Sequence, residues 1–128
     1  MGGTYSGPTT GWDFAVLRYD VNGAPVNSFG NSGLVKTDIY GGSDQATGVA
    51  VSGGKVAVVG GGVAVYNLVD GSLDTGFDGD GKMDSDGGAG FAYGVAYDAA
   101  GRIVTAAGGM KVTRLNPSGS VEFTLVAP

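Results

Sequence analysis

The sequence predicts an all-β protein built from tandem, β-propeller-like, four-stranded antiparallel blades, about two and a half of them in 128 residues. An outline of turn and aromatic residues recurs at a spacing of about 48 residues. Asn22-Gly23 precedes Phe29 and Gly33, Asp70-Gly71 precedes Phe77 and Gly81, and Ser118-Gly119 precedes Leu125. Valine, threonine, tyrosine and phenylalanine supply the apolar content, and glutamate occurs once, at Glu122, with no long run at helical spacing. The 27 glycines and 15% charged residues complete the picture of short strands joined by tight turns.

Residues 1–12, rich in Gly, Thr, Ser and Pro, read as an N-terminal loop ahead of a repeat domain over 13–128. Phe14-Ala15-Val16-Leu17-Arg18-Tyr19 has strand composition and ends at Asn22-Gly23, a dipeptide that takes positive φ and reverses the chain. A return strand is expected over 26–29, resuming over 34–39 after Gly30-Asn31-Ser32-Gly33, with a loop at 40–43. The runs 46–51 and 55–59 flank Ser52-Gly53-Gly54 and are short, apolar and bounded by glycine, as buried strands are. The cycle restarts at 63–66, where a constant offset of 48 makes Arg18, Tyr66 and Arg114 counterparts. Strands are then expected over 73–77 and 82–84, a glycine-rich link over 87–90, and strands over 91–97 and 102–106 around Asp98-Ala99-Ala100-Gly101. A third cycle runs through 110–115, turns at Asn116-Pro117-Ser118-Gly119 and closes over 121–126. The repeats therefore span about 13–62, 63–109 and a partial 110–128, with strands falling two, four and four.

A four-stranded blade is too thin to bury both faces alone, so it needs neighbours on each side. Propellers commonly close with four to eight blades. Closure is expected from a longer chain or from association of copies, three of which would supply about eight periods by length. Exposed blade edges are the expected route of self-association.

Three segments together resemble the delta-60 repeat family of bacterial β-propeller-like proteins: 13–23, 70–77 with Gly81-Lys82, and Tyr93-Gly94-Val95-Ala96-Tyr97 with Gly101-Arg102-Ile103-Val104. The similarity covers nearly everything from Asp13 onward. Asn27-Ser28-Phe29 and Glu122-Phe123-Thr124 stand where the family more usually has an Asp-Thr-Ser-Phe type of ending. The resemblance implies a propeller fold and an extracellular or cell-surface setting, and it transfers no catalytic residues.

A formal net charge of −5 with seven scattered cations leaves no basic stripe for phosphates, so nucleic acid is not an expected partner. No run approaches membrane-spanning length, and Met1-Gly2-Gly3 leads into polar turn residues with no basic segment and apolar core behind it. With no histidine, no cysteine and one glutamate, an enzyme is not expected. The segment 76–83 approaches a phosphate-binding loop, but Met83 removes the required hydroxyl and Asp78 and Asp80 would repel phosphate.

The expected function is a non-catalytic scaffold or protein-interaction module without a required cofactor. The alternative is a recognition domain for carbohydrate, or one supported by calcium. Trp12 and Tyr40, read as loop aromatics, are the candidate binding residues for protein or glycan. Asp74, Asp78, Asp80 and Asp84 are the candidate calcium ligands, since calcium takes six to eight oxygens on a flexible loop. Tyr66, Tyr93 and Tyr97 fall on repeated strands and are expected to pack between blades. A start that enters mid-cycle also fits an excised or designed fragment.

Overall fold

The computed structural model describes residues 2–7, 11–41, 44–84 and 91–128, and the link expected at 87–90 lies outside them. The strands are β1 (Gly2–Gly7), β2 (Gly11–Leu17), β3 (Leu34–Thr37), β4 (Ala46–Ser52), β5 (Lys55–Gly60), β6 (Gly62–Asn67), β7 (Lys82–Asp84), β8 (Ala92–Tyr97), β9 (Ile103–Ala107), β10 (Lys111–Leu115) and β11 (Val121–Val126). No helix occurs among the described residues. The strands form three antiparallel sheets in chain order, β1-β2-β3, β4-β5-β6-β7 and β8-β9-β10-β11.

The middle sheet explains the near-continuous apolar runs of β5 and β6, whose side chains alternate between two faces that are both covered. Val56, Val58, Ala64 and Tyr66 form one core with Phe14, Val16, Phe29 and Ile39 of the first cycle. Ala57, Val59, Val63 and Val65 form the other with Phe77, Met83, Ala92, Ile103 and Leu115. Equivalent bulges, between Ala46 and Gly48 and between Ala92 and Gly94, start the first strand of the second and third sheets.

Three expectations are corrected. The N-terminal loop over 1–12 gives way to β1 and the start of β2, which pair from Gly2↔Val16 to Gly7↔Gly11. Ladder bonds to an adjacent strand override the weak strand preference of a glycine-rich segment. The first sheet consequently has three strands where two were expected.

The strands expected at 26–29 and 73–77 are turns with single bridges, Tyr19↔Pro25 and Tyr66↔Leu73. In each turn a phenylalanine is driven inward and held by its own backbone. Phe29 N–H donates to Val26 C=O at 2.9 Å while Gly33 N–H donates to Phe29 C=O at 2.8 Å. Phe77 repeats both bonds with Asp74 and Gly81, at 2.9 and 2.7 Å. The third cycle differs: 121–126 lacks the glycines and aspartates of that turn, is rich in β-formers, and runs as β11 along β10.

The constant offset of 48 slips by one at the hairpin ends. Arg18 N–H donates to Gly33 C=O and Val65 N–H to Gly81 C=O, so Arg18 corresponds to Val65, and the turn after β6 carries one more residue. Asn67 and Asn116 then correspond, each donating through Nδ2 to a serine Oγ at 2.9 Å, Ser72 and Ser120. Tyr66 therefore matches Tyr19 and Leu115, on the face opposite to Arg18 and Arg114.

Candidate functional site

The contacts that join one cycle to the next recur at the repeat spacing. Gly30 N–H donates to Asp70 C=O at 2.7 Å, and 48 residues on Asp78 N–H donates to Ser118 C=O at 2.8 Å. Both donors have positive φ, 57° and 50°. The glycine after each acceptor allows the approach: a Cβ on Gly71 would lie 3.1 Å from Gly30 N, and one on Gly119 would lie 2.9 Å from Asp78 N. The turn of each later cycle thus clasps the loop that carries the buried phenylalanine of the cycle before.

A further cross-cycle correspondence is electrostatic. Lys55 Nζ lies 3.1 Å from Asp74 Oδ2, joining the first cycle to the second, and the matching pair between the second and the third is Arg102 and Glu122, at 3.5 Å. Glu122 also accepts from Arg114 Nε. Arg18 reaches from the first sheet to the second, its Nη1 donating to Leu68 C=O. It borders a crevice of about 130 Å³ with Tyr19, Val49, Val51 and Leu68. The match of 55–59 with 102–106 is legible in the sequence, but the one-residue slip hides the correspondence of Val65 with Arg114.

The candidate calcium ligands have different partners. Asp74 pairs with Lys55 and accepts from Gly76 N–H at 3.2 Å. Asp78 makes the backbone clasp, and Asp80 Oδ1 accepts from Lys82 N–H at 2.9 Å. Asp84 is an exposed residue at the end of β7. Among the described residues, one set of three acids has carboxylate oxygens within 4.8 Å of one another: Asp13, Asp38 and Asp44. Asp13 and Asp44 are buried, and Asp44 Oδ2 accepts from Ile39 N–H at 2.8 Å. Most other aspartates serve as turn formers. Asp20, Asp70 and Asp98 each accept from the backbone N–H two residues on.

Burial raises the Asp44 carboxyl above its ordinary value, the Ile39 N–H opposes this, and the charges of Asp38, Asp13 and Asp84 add to it. A raised acid favours the fold in its protonated form, so this contribution is present below the ordinary value of 3.8 and is lost as pH rises through the folded value. Asp44→Asn keeps an oxygen for Ile39 and removes the charge. It is expected to raise Tm at pH 7, with the gain vanishing below pH 3.8. A pH series of thermal melts checks this, and a variant less stable than the parent at pH 7 would contradict it.

Trp12 is exposed but sits on β2, not in a loop, and its C=O accepts from Asp44 N–H at 2.5 Å. Tyr40 is exposed in a turn at φ 58°. Its hydroxyl donates to Asp80 Oδ2 at 2.8 Å and lies 3.0 Å from Lys82 C=O, while Lys82 Nζ stands 4.8 Å from the ring centre. The hydrogen bond to Asp80 pushes the Tyr40 hydroxyl up to about 12. Tyr66 is buried between the first two sheets and donates to Thr37 Oγ1 at 2.7 Å. Tyr97 packs against the second core, whereas Tyr93, at the bulge, is exposed, its ring 5.4 Å from that of Phe91 and tilted 51° to it.

Searched against models of known protein families and against curated proteins, the sequence matches none.

Proposed function

We propose that the chain is a non-catalytic β-propeller repeat module, a scaffold whose sheets stack like blades and whose cycles lock to one another. The single observation that carries this reading is the repeated lock: a buried phenylalanine at Phe29 and Phe77, each clasped by the turn of the following cycle. The chemistry of the side chains supports it as well. The sequence has no histidine or cysteine, and its aspartates are largely taken up by turns and ion pairs. A stacking platform for sugars draws less support, because the Tyr40 ring and hydroxyl are already engaged by Lys82 and Asp80. The resemblance to delta-60 repeats points the same way and extends the reading to proteins of the cell surface.

If the cycles are equivalent units, one more should fit. A chain carrying residues 71–118 twice in tandem joins Ser118 to Gly71, the same junction as Ser118 to Gly119. It is expected to unfold in one transition at higher temperature, with a urea m-value larger by about a third. Two separate transitions, or no gain in stability, would overturn the reading.

A further inference from the structure

The two outer faces of the stack repeat its inner ones. On the third sheet Val104, Ala106, Val112 and Arg114 share the face opposite to Ile103, Thr105, Thr113 and Leu115, joined by Phe123 and Leu125 across β10. Register equates Val112 with Val63 and Leu125, which pairs with Val112, with Met83, which pairs with Val63. Val63 is 0% and Met83 9% exposed because the next sheet covers them, whereas Val112 is 37% and Leu125 62% exposed. At the other end, Tyr19 is 45% exposed, while its counterparts Tyr66 and Leu115 are fully buried against the preceding sheet. The clasp is vacant there too. Among the described residues nothing lies within 4 Å of a Cβ placed on Gly23, whereas Gly71 and Gly119 are packed against the previous cycle.

We propose that these two faces bind each other, so that a second copy of this chain docks the Tyr19 side of its first sheet onto the Val112 side of the third. The proposal rests on the stacked-sheet reading above. It commits to a second copy because the surface that covers this face inside the molecule is the back of a following sheet, and the first sheet presents Leu17 and Tyr19 at the positions of Ala64 and Tyr66 on that back. Arg114 has an internal precedent in Arg18, which occupies the matching position and donates to Leu68 C=O of the following sheet. Counted from the strand end, Leu68 corresponds to Val21, which is 100% exposed. Arg114 therefore exchanges its bond with Glu122 for the Val21 C=O of the second copy. The route is face on face, not the pairing of strand edges. Because the two faces differ, the contact is heterologous.

Val112→Glu disables one face and Val21→Asp the other, both at exposed sites where folding is untouched; Leu125→Asp and Tyr19→Asp serve as independent seconds. Sedimentation velocity of the full chain is expected to show a discrete oligomer. Each variant alone should dissociate, its self-association weakened about tenfold or more by a charge forced into the contact, with circular dichroism unchanged. Mixing a Val112→Glu chain with a Val21→Asp chain should restore a one-to-one pair, since each contributes one intact face. A parent that stays monomeric at every concentration, variants that associate like the parent, or a mixture that stays monomeric would each overturn the proposal. Success of the 71–118 duplication alongside a monomeric parent would locate the failure in the partner and leave the stack standing.

Discussion

Phe77→Ala is expected to cost about 3–5 kcal/mol, because it empties a fully enclosed site and the surrounding sheets cannot collapse onto it. That is a large part of the roughly 5–15 kcal/mol that holds a domain of this kind together. The ring belongs to the core shared by the second and third sheets, and its backbone closes the turn whose next residue, Asp78, is clasped by Ser118. Phe29→Ala should behave alike in the first cycle. Leu125→Ala, at the exposed position 48 residues on, should change the stability of the single chain by less than about 0.5 kcal/mol. Urea titrations of the three variants measure the pattern, and equal losses at Phe77 and Leu125 would contradict the assignment of the plug.

Gly71→Ala should be much more damaging than Gly23→Ala, although both glycines sit at nearly the same φ, 76° and 83°. Each pays the left-handed penalty of about 1–2 kcal/mol. At Gly23 a Cβ meets nothing within 4 Å, so that penalty is the whole effect. On Gly71 it would lie 2.7 Å from Val35 Cγ2, 3.1 Å from Gly30 N and 3.2 Å from Phe29 Cε2, forcing the clasp apart. Overpacking of that kind adds about 1–3 kcal/mol. The difference in melting free energy between the two variants isolates the contact between cycles from the cost of the turn itself, and identical losses would show that the clasp contributes nothing.

The strands were legible wherever alternation and glycine boundaries agreed, as at Lys55–Gly60, where a run of valines is buried on both faces. The hidden parts share one cause: local sequence does not report what a neighbouring sheet supplies. Gly2–Gly7 has loop composition and becomes a strand because β2 lies beside it. Phe29 and Phe77 look like strand residues but are drawn into turns because the core between sheets takes an aromatic ring at that point. The single extra residue after β6 shifts Tyr66 to the opposite face from Arg18, which a constant period cannot show. The acids give a related case. Asp13, Asp38 and Asp44 are far apart in sequence and converge, which local spacing does not report.

The central claim is that the middle sheet is covered on both sides, with successive residues of one strand facing different partners. Inter-methyl and methyl-to-ring nuclear Overhauser contacts along Lys55–Gly60 test it most directly. Val56 and Val58 are expected to see the rings of Phe14 and Phe29, and Ala57 and Val59 the side chains of Ile103 and Leu115. Contacts from all four residues to one and the same set of partners would contradict the stack.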